Sequence, residues 1–303
     1  MLVSVLALSL IRQDGADSGL KVFRAVFEDR PRQLIMMLPI EGQAQRAGFV
    51  FHPDIGTIRK VWIGSADYRG KVYDFSQNNS RAEGRVVWEA KSECLRLPDA
   101  EPSGWTSEGV RFDRGWKFAE DGAWMESPPF NYEGLRTAYV GFDELSQSAR
   151  FQISLLDDSG KVGTGFGSSM AQDSGWQWNF KQIPVLAGEW RLRVQANKAA
   201  DGKSLRNLRV FGDFPAWQVV KEGVSRTAEV QFKGYRVTDG AVTVMIRVEE
   251  AEVEWTPSTD GNGWVEIFEV KGMAGSEMLK LDRGLRGDPE ITVNGKTEVR
   301  HSW

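Results

Sequence analysis

Trp176 and Trp178 stand two residues apart in the run Trp176-Gln177-Trp178-Asn179-Phe180. Residues two apart on an extended strand share a face, so the pair would present two indole rings side by side. Aromatic faces stack on sugar rings and other flat apolar ligands, and large aromatics anchor binding sites. Asp173, Gln177 and Asn179, with Gln172 nearby, add donors and acceptors for hydroxyl groups. Trp176, Trp178, Gln177, Asn179 and Asp173 are therefore the candidate ligand site. The competing role for both indoles is a sandwich core, which also takes large aromatics from its two sheets.

Carboxylates offer a second chemistry. Glu250, Glu252 and Glu254 alternate with apolar residues, and on one strand face successive ones would lie about 6.6 Å apart. That separation is within reach of a glycosidase acid/base pair or of a shared cation. A charge row is more often a solvated face, and Arg236 or Arg247 can neutralise this one. Asp157-Asp158-Ser159-Gly160 has calcium-ligand types, yet a plain turn explains every residue in it. Gly163 to Gly167 lacks the Gly-Lys-Ser/Thr ending of a phosphate loop. Asn78 with Ser80 matches a glycosylation acceptor only in a host that glycosylates.

Nucleophilic and metal chemistry find little support. Cys94 is the single cysteine, which rules out an intramolecular disulfide or a cysteine-based zinc cluster. Ser168, Ser169 and Cys94 have no histidine in a nucleophile motif. The two histidines, His52 and His301, suit surface or packing roles, and His301 lies where chains fray. No cofactor, metal centre or catalytic residue is expected.

A net charge of −4 without a basic block argues against nucleic acid and anionic membrane surfaces as partners. Hydrophobic content of 41% with 26% charged residues is that of a globular chain, and 303 residues suggest about two domains. Residues 1–19 read as a signal peptide and linker, since the apolar run from Met1 to Ile11 has the length of a signal core and is too short to span a membrane. The run has no preceding Lys or Arg, and a first buried strand is the alternative. Export to the periplasm or medium follows from the signal reading.

The elements that must carry these residues are strands. Val242, Val244, Ile246 and Val248 alternate with Thr243, Met245 and Arg247 after the turn pair Asp239-Gly240. The parity then flips to Ala251, Val253 and Trp255, so a second turn falls near Glu249-Glu250 and three antiparallel strands result. Earlier runs KVFRAVF, RPRQLIMML, GFVFH, TIRKVWIG, KVYDF and RVVWEA are short, β-rich and separated by turn chemistry. The Pro- and acid-rich stretch from Leu97 to Gly104 marks a boundary. Beyond it VRFDRGWKF, AWMESPPF, RTAYVGFDE, RFQISLLDD, WQWNFKQIPV and EWRLRVQAN predict a jelly-roll-like sandwich. Phe211 to Pro215 makes a second break. Asn294-Gly295 between alternating runs predicts a hairpin, and GSEMLKLDRGL predicts a short helix or a strand.

Arg30-Pro31-Arg32, Lys60-Val61-Trp62-Ile63-Gly64, Gly70-Lys71-Val72-Tyr73 and Phe232-Lys233-Gly234-Tyr235-Arg236 resemble a family of large secreted bacterial proteins. In that family a β-rich non-haem region accompanies a c-type cytochrome domain. The resemblance implies one discontinuous domain, 20–95 plus 216–303, with the 105–214 sandwich inserted. This chain lacks Cys-x-x-Cys-His, so no covalent haem attaches here, and the resemblance brings no activity with it.

The expected protein is all-β, with two antiparallel sandwich-like domains, one discontinuous and the other inserted into it. Its expected function is non-catalytic binding of a glycan through exposed aromatics. A glycan-acting hydrolase using paired carboxylates and a structural or partner-docking ectodomain are the alternatives. It is not expected to be an integral membrane protein.

Overall fold

The computed structural model describes residues 19–28, 30–69, 80–90, 93–97, 104–113, 115–134, 137–145, 150–160, 162–163, 177–198, 204–273, 277–283, 291–293 and 295–303. The signal-peptide stretch, the KVYDF run, Asn78, Ser168 and Ser169 lie outside them. Every regular element among the described residues is a strand. No helix among them is long and apolar enough to cross a membrane.

The first five strands are β1 (Lys21–Phe27), β2 (Arg30–Pro39), β3 (Arg46–His52), β4 (Thr57–Asp67) and β5 (Arg81–Glu89). Next come β6 (Glu93–Arg96), β7 (Thr106–Glu108), β8 (Val110–Phe112), β9 (Trp116–Phe118), β10 (Trp124–Glu126) and β11 (Phe130–Tyr132). The middle of the chain forms β12 (Thr137–Leu145), β13 (Arg150–Leu156), β14 (Val162–Gly163), β15 (Gln177–Pro184), β16 (Gly188–Lys198) and β17 (Ser204–Gly212). Then follow β18 (Trp217–Lys221), β19 (Val224–Thr227), β20 (Val230–Thr238), β21 (Ala241–Val248) and β22 (Ala251–Thr259). The last are β23 (Gly263–Lys271), β24 (Met278–Leu281), β25 (Ile291–Val293) and β26 (Lys296–Ser302).

These strands build five antiparallel sheets. The first is the meander β1-β2-β3-β4-β5. The second runs β14-β13-β16-β10-β7, with β11 also on β16, and the third runs β15-β12-β17-β9-β8, with β6 also on β17. The fourth is β19-β18-β24-β25 and the fifth β20-β21-β22-β23-β26.

One hydrophobic core takes its buried residues from Leu34 to Trp88 and from Ala216 to Val293. A second takes them only from Leu97 to Val210. A small third core of Ala25, Phe27, Ile35, Met37, Val50 and Trp62 lies on the other face of the first sheet. Two cores explain the unbroken apolar run of β2: Leu34, Met36 and Leu38 face one, Ile35 and Met37 the other. Trp62 fits because Gly48 stands beneath it, where an added Cβ would come within 2.2 Å of the indole.

The meander from Val230 to Trp255 forms as the alternation predicts. Val242, Val244, Ile246 and Val248 are buried, and Asp239 and Gly240 both take the positive φ that a two-residue hairpin needs. GSEMLKLDRGL supplies the strand β24, paired with β18.

Several expectations fail, each for a local reason. Asn294 lies outside the described residues, and the strands on either side of it do not pair with each other: β25 pairs with β24, whereas β26 pairs with β23 in the fifth sheet. VRFDRGWKF is two strands, β8 and β9, paired with each other, and the Asp113 amide donates to the Gly115 carbonyl between them. AWMESPPF divides into β10 and β11, because Pro128 and Pro129 have no N–H for a ladder. The strand β17 has no period-2 signature, yet it is central to the third sheet. Asn207 takes a φ of 52° there, and the register with β12 slips between Gly141 and Asp143. This bulge places Leu205, Leu208 and Val210 in the core, a spacing that hides the strand. The C-terminus does not fray, since His301 pairs with Trp264 in the ladder between β26 and β23.

Candidate functional site

Asp173 and Trp176 lie outside the described residues. The backbones of Gln177, Trp178 and Asn179 open β15, an edge strand of the third sheet, in register with Glu144, Asp143 and Phe142. Their side chains lie outside what is described.

The acidic stripe is not a row of three. Glu250 sits in the turn before β22, and only Glu252 and Glu254 belong to the strand. Arg236 grips Glu254 with two bonds, Nη1 to Oε1 at 3.0 Å and Nη2 to Oε2 at 2.7 Å. These bonds lower the Glu254 pKa, which unfits it as a proton donor. Asp157 forms a plain turn: its Oδ1 accepts from the Ser159 amide and hydroxyl, and its carbonyl from the Gly160 amide.

The outer face of the second sheet assembles an aromatic and polar row that sequence spacing could not reveal. Glu108, Trp124, Gln195 and Gln152 are direct register partners across β7, β10, β16 and β13. The next row on that face is Thr106, Glu126, Arg193 and Ser154. Their alternates Met125, Val194 and Ile153 are buried in the core, so strand pleating turns both rows to the opposite face, where Ser154 is itself buried. The Trp124 ring is fixed at both ends. Its Nε1 donates to Glu108 Oε2 at 3.1 Å, and the Arg193 guanidinium lies 4.3 Å from its centre. Arg191 donates to Glu126 at 2.8 Å, and Asn197 donates to Gln152 at 3.3 Å. A partly exposed indole thus stands among amides and ion pairs that can turn toward hydroxyl groups.

A buried charge cluster joins the first sheet to the third. Arg30, fully buried, donates from Nε to Asp213 Oδ1 at 2.8 Å. Its guanidinium lies 3.8 Å from the Tyr139 ring centre and 4.2 Å from that of Phe211. His52 Nδ1 accepts from the Asp54 amide at 3.2 Å, and its Nε2 stands 3.0 Å from Asp213 Oδ2. Burial would raise the Asp213 pKa, but His52, Arg30 and a Tyr139 hydrogen bond hold it far below the carboxylate range. Burial, with Asp213 beside it, raises the Tyr139 phenol.

A second buried carboxylate, Glu266, receives Arg283 through two bonds of 2.7 and 2.6 Å. Trp255 Nε1 donates to it at 2.9 Å, and His301 Nε2 lies 2.9 Å away. Burial opposes its ionisation, yet Arg283 and His301 bring its pKa down to about 2. Both buried carboxylates are charge-paired anions, the reverse of a glycosidase acid, whose pKa must be raised. The partners of Asp213 come from distant parts of the chain and those of Glu266 from other strands and loops, which is why spacing gave no sign of them.

Beside the Asp213 cluster a cleft of about 610 Å³ opens between the two main cores, with Arg59, Cys94, Asn131 and Glu133 on its walls. A larger cleft of about 1050 Å³ shares Ile55, Asp213, Pro215, Ala216 and Thr227 with it.

Of the residues that carry the family resemblance, Arg30 and Lys60 are buried in ion pairs and Trp62 in the third core. Gly70 to Tyr73 lie outside the described residues.

No protein-family model matches the chain, and no curated protein matches it. Among solved structures it is similar to the C-terminal CBM6 of LamC, a marine laminarinase from Zobellia galactanivorans. That likeness has 16% identity and a TM-score of 0.32, over 39% of this chain and 98% of the other. It is also similar to the carbohydrate-binding module CBM6cm-2 from Cellvibrio mixtus lichenase 5A, solved with cellotriose. There the identity is 17% and the TM-score 0.28, over 40% of this chain and 92% of that one.

Proposed function

We propose that the chain is an exported, non-catalytic carbohydrate-binding protein whose binding face is the outer face of the second sheet. The observation that carries this reading is the register row Glu108, Trp124, Gln195 and Gln152. Four adjacent strands bring an indole and three hydrogen-bonding side chains into line, a geometry suited to an extended chain of hydroxylated rings. Stacking on Trp124 supplies affinity and the flanking amides and carboxylate supply orientation. Export rests on the apolar run from Met1 to Ile11.

The binding role is favoured over hydrolysis because Asp213, Glu254 and Glu266 are all held as paired anions. The test is fluorescence quenching by acrylamide against a panel of soluble neutral oligosaccharides. One glycan class is expected to protect the wild-type protein, and folded Trp124→Ala is expected to lose that protection. An unchanged response in Trp124→Ala, or no response to any glycan, overturns the reading.

A further inference from the structure

We infer that Arg193 and Glu126 form a hydroxyl-reading pair beside Trp124, and that the sheet face thereby selects 1,4-linked glycans, whose rings carry two adjacent free hydroxyls. This inference rests on the carbohydrate reading above and names the ligand class of the same site.

The pairing of β10 with β16 sets Glu126 directly opposite Arg193, one row along from Trp124 and Gln195. The carboxylate is only half used. Its Oε1 accepts from Arg191 Nη1 at 2.8 Å, whereas its Oε2 stands 3.9 Å from Arg193 Nη1, beyond hydrogen-bond reach. Arg193 is unused as a donor among the described residues. Its guanidinium lies 4.3 Å from the Trp124 ring centre, and its buried Nε has no acceptor. Arg193 exposes 36% of its side chain and Glu126 12%, so a ligand on this face can reach both.

A donor-only group and an acceptor-only group left 3.9 Å apart define what completes them. An oxygen about 2.9 Å from each sits as the apex of a triangle on that base, and it must both accept and donate. A hydroxyl does both, whereas a carboxylate only accepts and an ammonium only donates. A carboxylate ligand would also face Glu126 and Glu108, and an ammonium would face Arg191 and Arg193. The planar fork of Arg193 has a second Nη, which reaches an oxygen on the next carbon once the first is bridged. On a ring stacked against Trp124 this arrangement calls for two adjacent hydroxyls. Internal rings of a 1,4-linked glycan offer O2 and O3, and those of a 1,3-linked glycan have no adjacent free pair.

Calorimetric titration of the full chain would compare cellotetraose, xylotetraose and mannotetraose with laminaritetraose, the 1,3-linked control. Arg193→Lys keeps a cation beside the indole and removes the fork. In wild type at least one 1,4-linked tetraose is expected to bind more tightly than laminaritetraose. In folded Arg193→Lys that tetraose should bind about tenfold more weakly, and the preference should vanish. Wild-type affinity or better in Arg193→Lys overturns the proposal, because the guanidinium then only braces or covers the ring. Equal or tighter binding of laminaritetraose, lost in Trp124→Ala, overturns the hydroxyl pair and leaves the sheet-face site standing. No binding of any tetraose overturns the proposal, and no response across the wider panel overturns the sheet-face reading with it.

Discussion

The guanidinium of Arg30 lies over the ring of Tyr139, 3.8 Å from its centre, while its Nε holds Asp213 at 2.8 Å. Arg30 belongs to the first sheet and Tyr139 to the third, so one side chain ties two separately packed sheets by charge and by stacking. Removing one partner of a buried ion pair leaves an uncompensated charge, at a cost of about 3–5 kcal/mol. Arg30→Met is therefore expected to lose about that much stability in urea unfolding. A loss below about 1 kcal/mol would show that His52 alone satisfies Asp213.

Glu266 makes stability depend on acid. Its folded-state pKa of about 2 lies below the ordinary 4.5, so its contribution is complete above about pH 4.5 and is lost as pH falls toward 2. The difference amounts to about 3 kcal/mol. Unfolding free energy measured from pH 6 to pH 2.5 should drop across that window, with a shallower drop in Glu266→Gln. Equal slopes in both proteins would assign the acid sensitivity elsewhere.

Gly48 is constrained by volume, not by backbone angle. A methyl group there meets the Trp62 ring at 2.2 Å, and overpacking of this kind costs about 1–3 kcal/mol. Gly48→Ala should lower the melting temperature, and Trp62→Leu in the same protein should restore part of the loss by opening space. A Gly48→Ala protein as stable as wild type would mean that the indole moves freely.

The sheet-face row makes a graded prediction. Gln152→Ala and Gln195→Ala each remove one hydrogen-bonding group from the row, worth about 1 kcal/mol. Titration of a responding oligosaccharide should show about fivefold weaker binding in each, and a larger loss in Trp124→Ala. Full affinity in both glutamine variants would confine recognition to the indole.

What the sequence displays is what period-2 alternation can express. The β20-β21-β22 meander was legible because Val242 to Val248 alternate cleanly and Asp239-Gly240 accepts positive φ. The strand β17 was not, because the bulge at Asn207 shifts its apolar spacing. Asn207→Val should accordingly cost about 1–2 kcal/mol at that left-handed position, with Asn207→Gly milder in the same melting experiment. The Asn294-Gly295 signal was read locally, whereas β25 and β26 are claimed by different sheets. Site residues were harder still. Trp124 was one indole among twelve, and only the pairing of β7, β10, β16 and β13 lines it up with Gln195 and Gln152. Arg30 and Asp213 are separated by 183 positions, a distance over which no spacing rule operates.

The strands β6 and β17 run side by side, with Arg96 opposite Arg209 and Glu93 opposite Phe211. The chain thus leaves for the second core and returns from it at neighbouring points. For the sheets on either side, the whole intervening stretch is a loop whose ends are already closed by a ladder. Lengthening such a loop adds only a logarithmic entropic term. Insertions within that stretch are therefore expected to leave the flanking sheets closed, with only a small entropic cost.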